Sequence, residues 1–388
     1  MSTRRIATAG LTALVLVLAA FFFIVPGIVD RQMNVRLGPS HVAVEARAES
    51  LHRRLWIADL HGDALLWGRP LLDRADHGHL DVPRLLEGNV ALQVFGAVTK
   101  TPKGINYERN SDSTDNITLL AIAQRWPPAA FGSLRKRAQF LARRLHEAAA
   151  ASEGRLVIVR SRSELASFRS ARERNPRMVA GLLATEGLHP IEGDLANLDT
   201  LFAAGYRMFG LTHFFDNPVA GSAHGVARGG LTPLGRRVIE RAAALGALID
   251  VAHASPQAID DVLAITTRPI VVSHTGVQAT CPGPRNLSDD QLRRIAATGG
   301  VIGIGFWDGA VCDPSPASIA KAIVHALSVA GPDAVALGSD WDGATKTVFD
   351  AAGLPALTEA LLRAGLPPET IGKVMGGNVL RLLGTSLP

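Results

Sequence analysis

Two kinds of apolar run divide the chain. The first is a single uncharged stretch, Ile6 to Val29, rich in Leu, Val, Ala and Phe and preceded by Arg4 and Arg5. Its 24 residues are enough to cross about 30 Å of hydrocarbon as a helix. A cleaved signal peptide is the competing reading, with a shorter apolar region of about 7–15 residues and a small-x-small cleavage site. Pro26, Gly27 and Ile28 make no such site, and Ala46-Arg47-Ala48 has the right shape but lies far downstream. An uncleaved anchor is favoured, with the two arginines on the cytoplasmic side and the remainder beyond the inner face. A buried core helix fits poorly, because nothing precedes the segment to pack against it.

The second kind is short and repeated. Leu55–Leu60, Ala91–Val98, Met178–Ala184, Met208–Leu211, Ala247–Val251, Pro269–Val272, Val301–Phe306 and Ala334–Leu337 are apolar runs bounded by turn residues. Runs of this length suit strands buried on both faces. Between them lie amphipathic stretches such as Leu134–Ala150, Thr232–Leu245 and Asp289–Ala297, the last with Ser288 as its cap and two aspartates in its first turn. Strand and helix alternating about eight times predict a parallel sheet closed into a (β/α)₈ TIM barrel. Residues 99–177 exceed what one crossover needs, so inserted helices are expected there. The organisation read from this pattern is a membrane anchor or signal segment over residues 1–30, a polar linker over 31–52 and the barrel domain over 53–388.

Composition narrows the class. With 388 residues, 47% hydrophobic and 19% charged, the chain has material for a large core, which excludes a disordered or collagen-like protein. The net charge of +5 comes almost wholly from arginine, since only six lysines occur, and these arginines are scattered rather than gathered in a stripe. Nucleic acid is therefore not an expected partner. Cys281 and Cys312 fit no metal-knuckle spacing, and whether they form a bridge is open.

Chemistry sits where the runs end. The first exits into Asp59-Leu60-His61-Gly62-Asp63, the third into Thr185-Glu186-Gly187, and the fourth into Thr212-His213. The fifth gives Ala252-His253, the sixth Ser273-His274 and the eighth Gly338-Ser339-Asp340. In a barrel the C-terminal ends of the strands share one mouth. Six of eight strands thus deliver His, Asp or Glu to one rim. Any one of these is as well explained as a structural histidine or a helix cap, but six together point to a metal site. Imidazole and carboxylate donors suit Zn²⁺ and its first-row neighbours. Their number exceeds what one open site needs and suits two ions, which can hold a hydroxide between them and polarise a carbonyl. Cys281-Pro282-Gly283-Pro284-Arg285-Asn286 follows His274, and Arg285 can present its fork to a carboxylate or be a plain surface arginine. There is no Gly-x-Ser-x-Gly elbow, and Gly300, Gly303 and Gly305 read as barrel packing rather than a nucleotide loop.

The ordered set His61-x-Asp63, Glu186, Thr212-His213, Asp250-Val251-Ala252-His253, Ser273-His274, Arg285-Asn286 and Gly338-Ser339-Asp340 resembles the membrane dipeptidase (renal dipeptidase) family, over about residues 50–385. The resemblance implies a two-zinc (β/α)₈ hydrolase that cleaves dipeptides and tolerates a C-terminal D-residue. It implies that His61 and Asp63 hold one zinc, His253 and His274 the other, and that Glu186 bridges them. By the same likeness His213 contacts the substrate carbonyl, Arg285 with Asn286 binds the substrate carboxylate, and Asp340 handles the proton and faces the free amine. A homodimer is a further expectation of the likeness, not of the residues. Mammalian relatives carry a C-terminal lipid-anchor signal and disulfides. This chain has instead an N-terminal apolar segment and two cysteines, which suits a bacterial inner-membrane protein with its barrel in the periplasm, or a secreted one if the segment is cleaved. Manganese, cobalt or iron could replace zinc. A deacylase or lactonase on the same ions is the alternative activity.

Overall fold

The computed structural model describes residues 3–39 and 42–388; the side chains of Arg4 and Arg5, which set the expected orientation, lie outside the description. The apolar segment is helical over Thr3–Phe23 and Val25–Met33, and the most apolar 18-residue stretch of Ile6–Met33, of mean hydropathy 2.7, has no residue buried by the rest of the chain. Such a helix has the length and composition to cross a membrane, and a signal sequence would pass the same test.

Eight strands form the barrel: β1 (Ile57–Gly62), β2 (Val90–Val98), β3 (Val179–Glu186), β4 (Tyr206–Gly210), β5 (Leu248–Asp250), β6 (Val271–Thr275), β7 (Val301–Ile304) and β8 (Val335–Leu337). Every pairing is parallel, neighbours follow chain order, and β8 pairs with β1, so the sheet closes. All eight expected runs are strands. A ninth, Leu156–Ile158, pairs only with β3 and escaped notice because it is three residues long and only its first residue is buried. The expected insertion between β2 and β3 holds helices Asn116–Ala123, Ala129–Gly132, Leu134–Ala151 and Arg162–Arg174.

Period-2 alternation divides the core. Ala58, Leu60, Leu92, Val94, Ala180, Leu182, Met208, Leu248, Val271, Val301 and Ala336 fill the barrel interior, while the opposite faces pack on the helices. Val379, Leu382 and Leu383 of the helix Asn378–Ser386 join the interior cluster and close the end away from the mouth. Local signals fix the surrounding helices. Ser288 and Gln291 form a capping box at Asp289–Ala297, while Pro233–Leu245 begins on a Thr232 cap and ends at Gly246 in the left-handed region (φ 70°). The β7 glycines are packing residues: a Cβ on Gly303 would stand 2.2 Å from the Ser273 carbonyl. Cys281 and Cys312 are joined, which ties the loop after β6 to the loop after β7.

The stretch between the apolar segment and the barrel is docked. Val35–Arg36 pairs in parallel with Lys346–Thr347 of the loop after β8, and Asp30 and Asn34 are buried. Helix Ala46–His52 then packs beside Pro355–Arg363.

Candidate metal centre

His61 is the fifth residue of β1 and Asp63 follows its end; Glu186 is the last residue of β3. His213, His253 and Asp340 each stand three residues beyond the ends of β4, β5 and β8, and His274 lies inside β6. The barrel brings them together around one oxygen. Glu186 Oε1 is 3.2 Å from His253 Nε2, 3.3 Å from His213 Nε2, and 3.5 Å from Nε2 of both His61 and His274. His61 Nε2 is also 3.5 Å from Asp63 Oδ1 and 4.0 Å from Asp340 Oδ1. His253 Nε2 and His274 Nε2 face each other at 3.0 Å.

This arrangement fits metal ions. Two imidazole nitrogens at 3.0 Å need something shared between them, and buried atoms with no hydrogen-bond partner cluster here: both nitrogens of His61, Asp63 Oδ1, Glu186 Oε2 and the Nδ1 atom of His253. Buried polar atoms are normally satisfied, so an unsatisfied set of donors for one chemistry marks a ligand site. Three overlapping donor groups form: His61, Glu186, His274; Glu186, His213, His253; and His61, Asp63, Asp340. Geometry alone therefore counts His213 and Asp340 among the donors.

Electrostatics follow from charge packed into a dry space. Burial works against the charged form of Glu186, yet the His213 and His61 imidazoles hold it well below the ordinary carboxylate range. Burial would lower His61, but the carboxylates of Asp63 and Glu186 outweigh it and raise His61 well above the usual value. Asp63 is pushed up to about 6 by burial and by Glu186, against the pull of His61. Burial raises Asp340 well above the normal range and lowers His253 and His274 well below theirs. Groups with pKa values driven apart in one cleft mark a site of proton chemistry.

Supporting residues hold the ring. Ser273 Oγ lies 2.8 Å from His274 Nδ1, and Asp250 accepts the backbone N–H of Ala252 and Ser273, both at 2.9 Å. Asp59 accepts Ser339 N–H at 2.7 Å and the Gln93 amide at 2.7 Å, joining β8, β1 and β2. Arg285 donates to the His274 carbonyl at 2.7 Å, comes within 3.5 Å of His253 Nε2 and lies over the Trp307 ring. It is buried beside the ring, not a surface arginine. Asn286 is beside it, but its amide is engaged with backbone: Oδ1 accepts Gly276 N–H at 2.9 Å, and Nδ2 donates to the Cys281 carbonyl at 2.7 Å.

Several neighbours were not singled out from the sequence. Tyr107, from the insertion, accepts a hydrogen bond from Trp307 Nε1 at 2.8 Å and packs on Phe214 and His224, while Phe214 also packs on His213 and His253. No motif flags Tyr107, since its loop has no periodic pattern. Gly96, in the middle of β2, does leave a signal: a glycine interrupting an apolar strand marks close approach. A Cβ there would stand 2.3 Å from Asp63 Oδ1 and 3.0 Å from His61 Cε1.

Comparison with known proteins agrees with this architecture. The sequence profile of the membrane dipeptidase family (peptidase family M19) matches residues 45–386. An uncharacterized protein in the pqqA 5′ region of Klebsiella pneumoniae is 34% identical over 254 residues, covering 62% of this chain and 92% of that protein. Dipeptidase aclJ of Aspergillus oryzae is 28% identical over 363 residues, covering 87% of this chain and 79% of that one. Among solved structures, a metallo peptidase from Rhodobacter sphaeroides, liganded with a phosphinate mimic of the dipeptide L-Ala-D-Ala, superposes with a TM-score of 0.71 at 25% identity. It covers 86% of this chain and 99% of its own.

Proposed function

The chain belongs to the membrane dipeptidase family, and from that premise we propose that it is a dipeptidase dependent on two divalent ions, zinc in the first instance. His61 and Asp63 would hold one ion and His253 and His274 the other, with Glu186 between them serving both. When bound, such a pair supplies an activated water at neutral pH and polarises the carbonyl to be attacked. The observation that carries this reading is the convergence of four histidine Nε2 atoms on Glu186 Oε1 within 3.2–3.5 Å, rimmed by Asp63 and Asp340.

The chain's own groups then define the substrate. Arg285, braced over Trp307, takes the dipeptide carboxylate, and Asn286 serves by fixing the loop that presents it. His213, kept neutral by burial, donates to the carbonyl oxygen as charge develops there. Asp340, whose carboxyl burial keeps protonated more readily, faces the free amine and delivers a proton to the leaving nitrogen. The Rhodobacter relative's L-Ala-D-Ala mimic supports tolerance of a D-residue at the second position. The Ile6–Met33 helix anchors the barrel to the inner membrane with its mouth on the periplasmic side.

The test is turnover of L-L and L-D dipeptides, a tripeptide and an N-acetyl dipeptide, each with chelator and with zinc add-back. Zinc-restored cleavage confined to free dipeptides is expected. Preference for the acetylated substrate would make the protein a deacylase on the same ions, and no cleavage with two ions bound would overturn the substrate assignment.

A further inference from the structure

The loop after β8 is built against its own preferences. Asp340, Asp342 and Ala344 adopt φ of 59°, 63° and 59°, three left-handed residues within five, none of them glycine. Aspartate tolerates this region and alanine does not, so the loop keeps its shape only if its surroundings over-determine it. Part of that surrounding lies where it is expected, in the barrel. Trp341 accepts Asp63 N–H through its carbonyl at 2.8 Å, and Asp342 accepts the N–H groups of His79 and Leu80 at 2.7 and 3.2 Å.

The rest comes from the other end of the chain. Asn34 Oδ1 accepts Ala344 N–H at 3.0 Å, at the most strained of the three positions. The next residues continue as a ladder: Val35 N–H to the Thr345 carbonyl at 3.2 Å, Leu37 N–H to Thr347 at 2.8 Å and Gly38 N–H to Val348 at 3.0 Å. Asn34 is itself held, its Nδ2 donating to Asp30 Oδ1 at 2.8 Å. Asp30 Oδ2 receives Arg69 Nε at 2.7 Å, and the same guanidinium pairs through Nη2 with Asp342 Oδ2 at 2.7 Å. Arg36 reaches Asp350 at 2.6 Å. Asp30, Asn34 and Asp342 are buried and Arg69 nearly so, so these bonds are made out of water's reach. Gly38 lies so close that a Cβ would stand 2.6 Å from the Val348 carbonyl oxygen.

We infer that residues 30–38, the strap leaving the apolar helix, are a positioning element of the active site, holding the Asp340 loop through Asp30, Asn34 and the Gly38 ladder. The inference rests on the role proposed above for Asp340. The strap touches no ion donor, so it acts on where the Asp340 carboxylate stands rather than on metal or substrate affinity. A displaced proton donor lowers turnover while binding persists. Because the strap is the continuation of the apolar helix, the catalytic unit begins at Asp30, and the barrel mouth is carried on the side from which that helix departs.

The experiment uses the full-length chain in detergent or vesicles, with Asp30→Ala and, should that variant fail to fold, Gly38→Ala, which wedges the strap from the loop while keeping every side-chain bond. Arg53→Ala, which breaks only the exposed Arg53–Glu49 pair outside the strap, is the control. Either strap variant is expected to lower kcat tenfold or more, leave KM and bound zinc per chain within twofold, and speed amide exchange across residues 340–348. The control is expected to match the parent. In an Asp340→Glu background, where the carboxylate is already misplaced, Asp30→Ala should add less than a threefold loss. Unchanged kcat and exchange in both strap variants, or a full tenfold loss added in the Asp340→Glu background, would overturn the positioning role. Full activity in Asp340→Ala would instead remove the role given to Asp340, and the exchange data would still report whether the strap holds the loop.

Discussion

Gly96 offers the sharpest test of the site's geometry, because the substitution adds one methyl and removes nothing. In an ordinary strand position Gly→Ala gains about 0.5–1 kcal/mol by restricting the unfolded chain. Here the new Cβ would stand 2.3 Å from Asp63 Oδ1 and 3.0 Å from His61 Cε1, where contact is comfortable from 3.4 Å. The Asp63 carboxylate must therefore retreat by about 1 Å, several times the roughly 0.2 Å tolerance of a metal–ligand distance. Overpacking of this kind costs about 1–3 kcal/mol, so net destabilisation of about 1–2 kcal/mol is expected. Zinc affinity at the His61–Asp63 position should fall by at least the 10–100-fold seen when a ligand's support is disturbed, and dipeptide turnover should fall with it. Gly384→Ala is the matched control: that glycine is exposed in the helix Asn378–Ser386 with nothing within 4 Å of its added Cβ, and should stabilise by about 0.8–1 kcal/mol. Metal per chain by mass spectrometry, turnover against added zinc, and chemical unfolding read the three quantities. A Gly96→Ala protein with two zinc ions, parental turnover and parental stability would refute the placement of Asp63 and His61 as ligands.

Arg285→Met should raise KM for dipeptides about 30- to 1,000-fold, the 2–4 kcal/mol of a buried charge-assisted pair, with a smaller change in kcat. The preference for free dipeptides over dipeptide amides should collapse with it; a preserved preference would place the carboxylate elsewhere. Cys281→Ser with Cys312→Ser opens a closed loop whose ends are 31 residues apart, a loss of about 3–4 kcal/mol by chain entropy. It should also raise KM, because the bridge ties the Arg285 loop to the Trp307 loop; unfolding midpoints and KM values check both. His52 is buried between Thr358 Oγ1 at 2.8 Å and the Gly88 carbonyl at 3.0 Å, and burial, opposed by that carbonyl, lowers its pKa to about 4. The folded state thus takes up this proton later than the unfolded one. The neutral form's stability is present above pH 6.5 and is lost as pH falls towards 4, about 2 kcal/mol of it by pH 5. His52→Gln should flatten unfolding free energy against pH across that window, and an unchanged slope would exclude His52 as its source. The mature protein should retain Asp30–Gly38, so N-terminal mass analysis of the membrane fraction should find no end beyond residue 30.

The barrel was legible because its strands are buried on both faces, which turns them into largely apolar runs such as Ala334–Leu337 that no surface strand would show. Leu156–Ile158 was not legible for the converse reason: it sits at the sheet's edge, paired on one side only, and two of its three residues are half-buried. The site was legible to the extent that its donors stand at strand ends, where chain position and spatial position coincide. The wall formed by Tyr107 and Phe214 was not, since loop residues reach the mouth by paths with no periodicity. The strap was hidden differently. Asp30 and Asn34 look like any polar residues after an apolar helix, and their partners Arg69 and Ala344 lie far along the chain. Only the fold brings them within 3 Å.

His213 marks where sequence pattern and geometry both stop short. Its Nε2 lies 3.3 Å from Glu186 Oε1, inside the 3.2–3.5 Å spread of the other three histidines, so distance does not separate a ligand from a substrate contact. Backbone strain singles out His253, and an orienting partner singles out His274. His253 is held at φ 61°, a conformation a histidine adopts only under constraint, and its Nε2 is driven to 3.0 Å from His274 Nε2. His274 is oriented by Ser273 through its other nitrogen, as a ligand's ring must be. His213 shows no such strain: a backbone hydrogen bond at Lys100 steadies its ring, which packs edge-on against Phe214 at the mouth. An unstrained ring at the mouth suits a group that meets the substrate. His213→Ala should therefore cost turnover and leave the zinc count at two, whereas His253→Ala should lower the count itself.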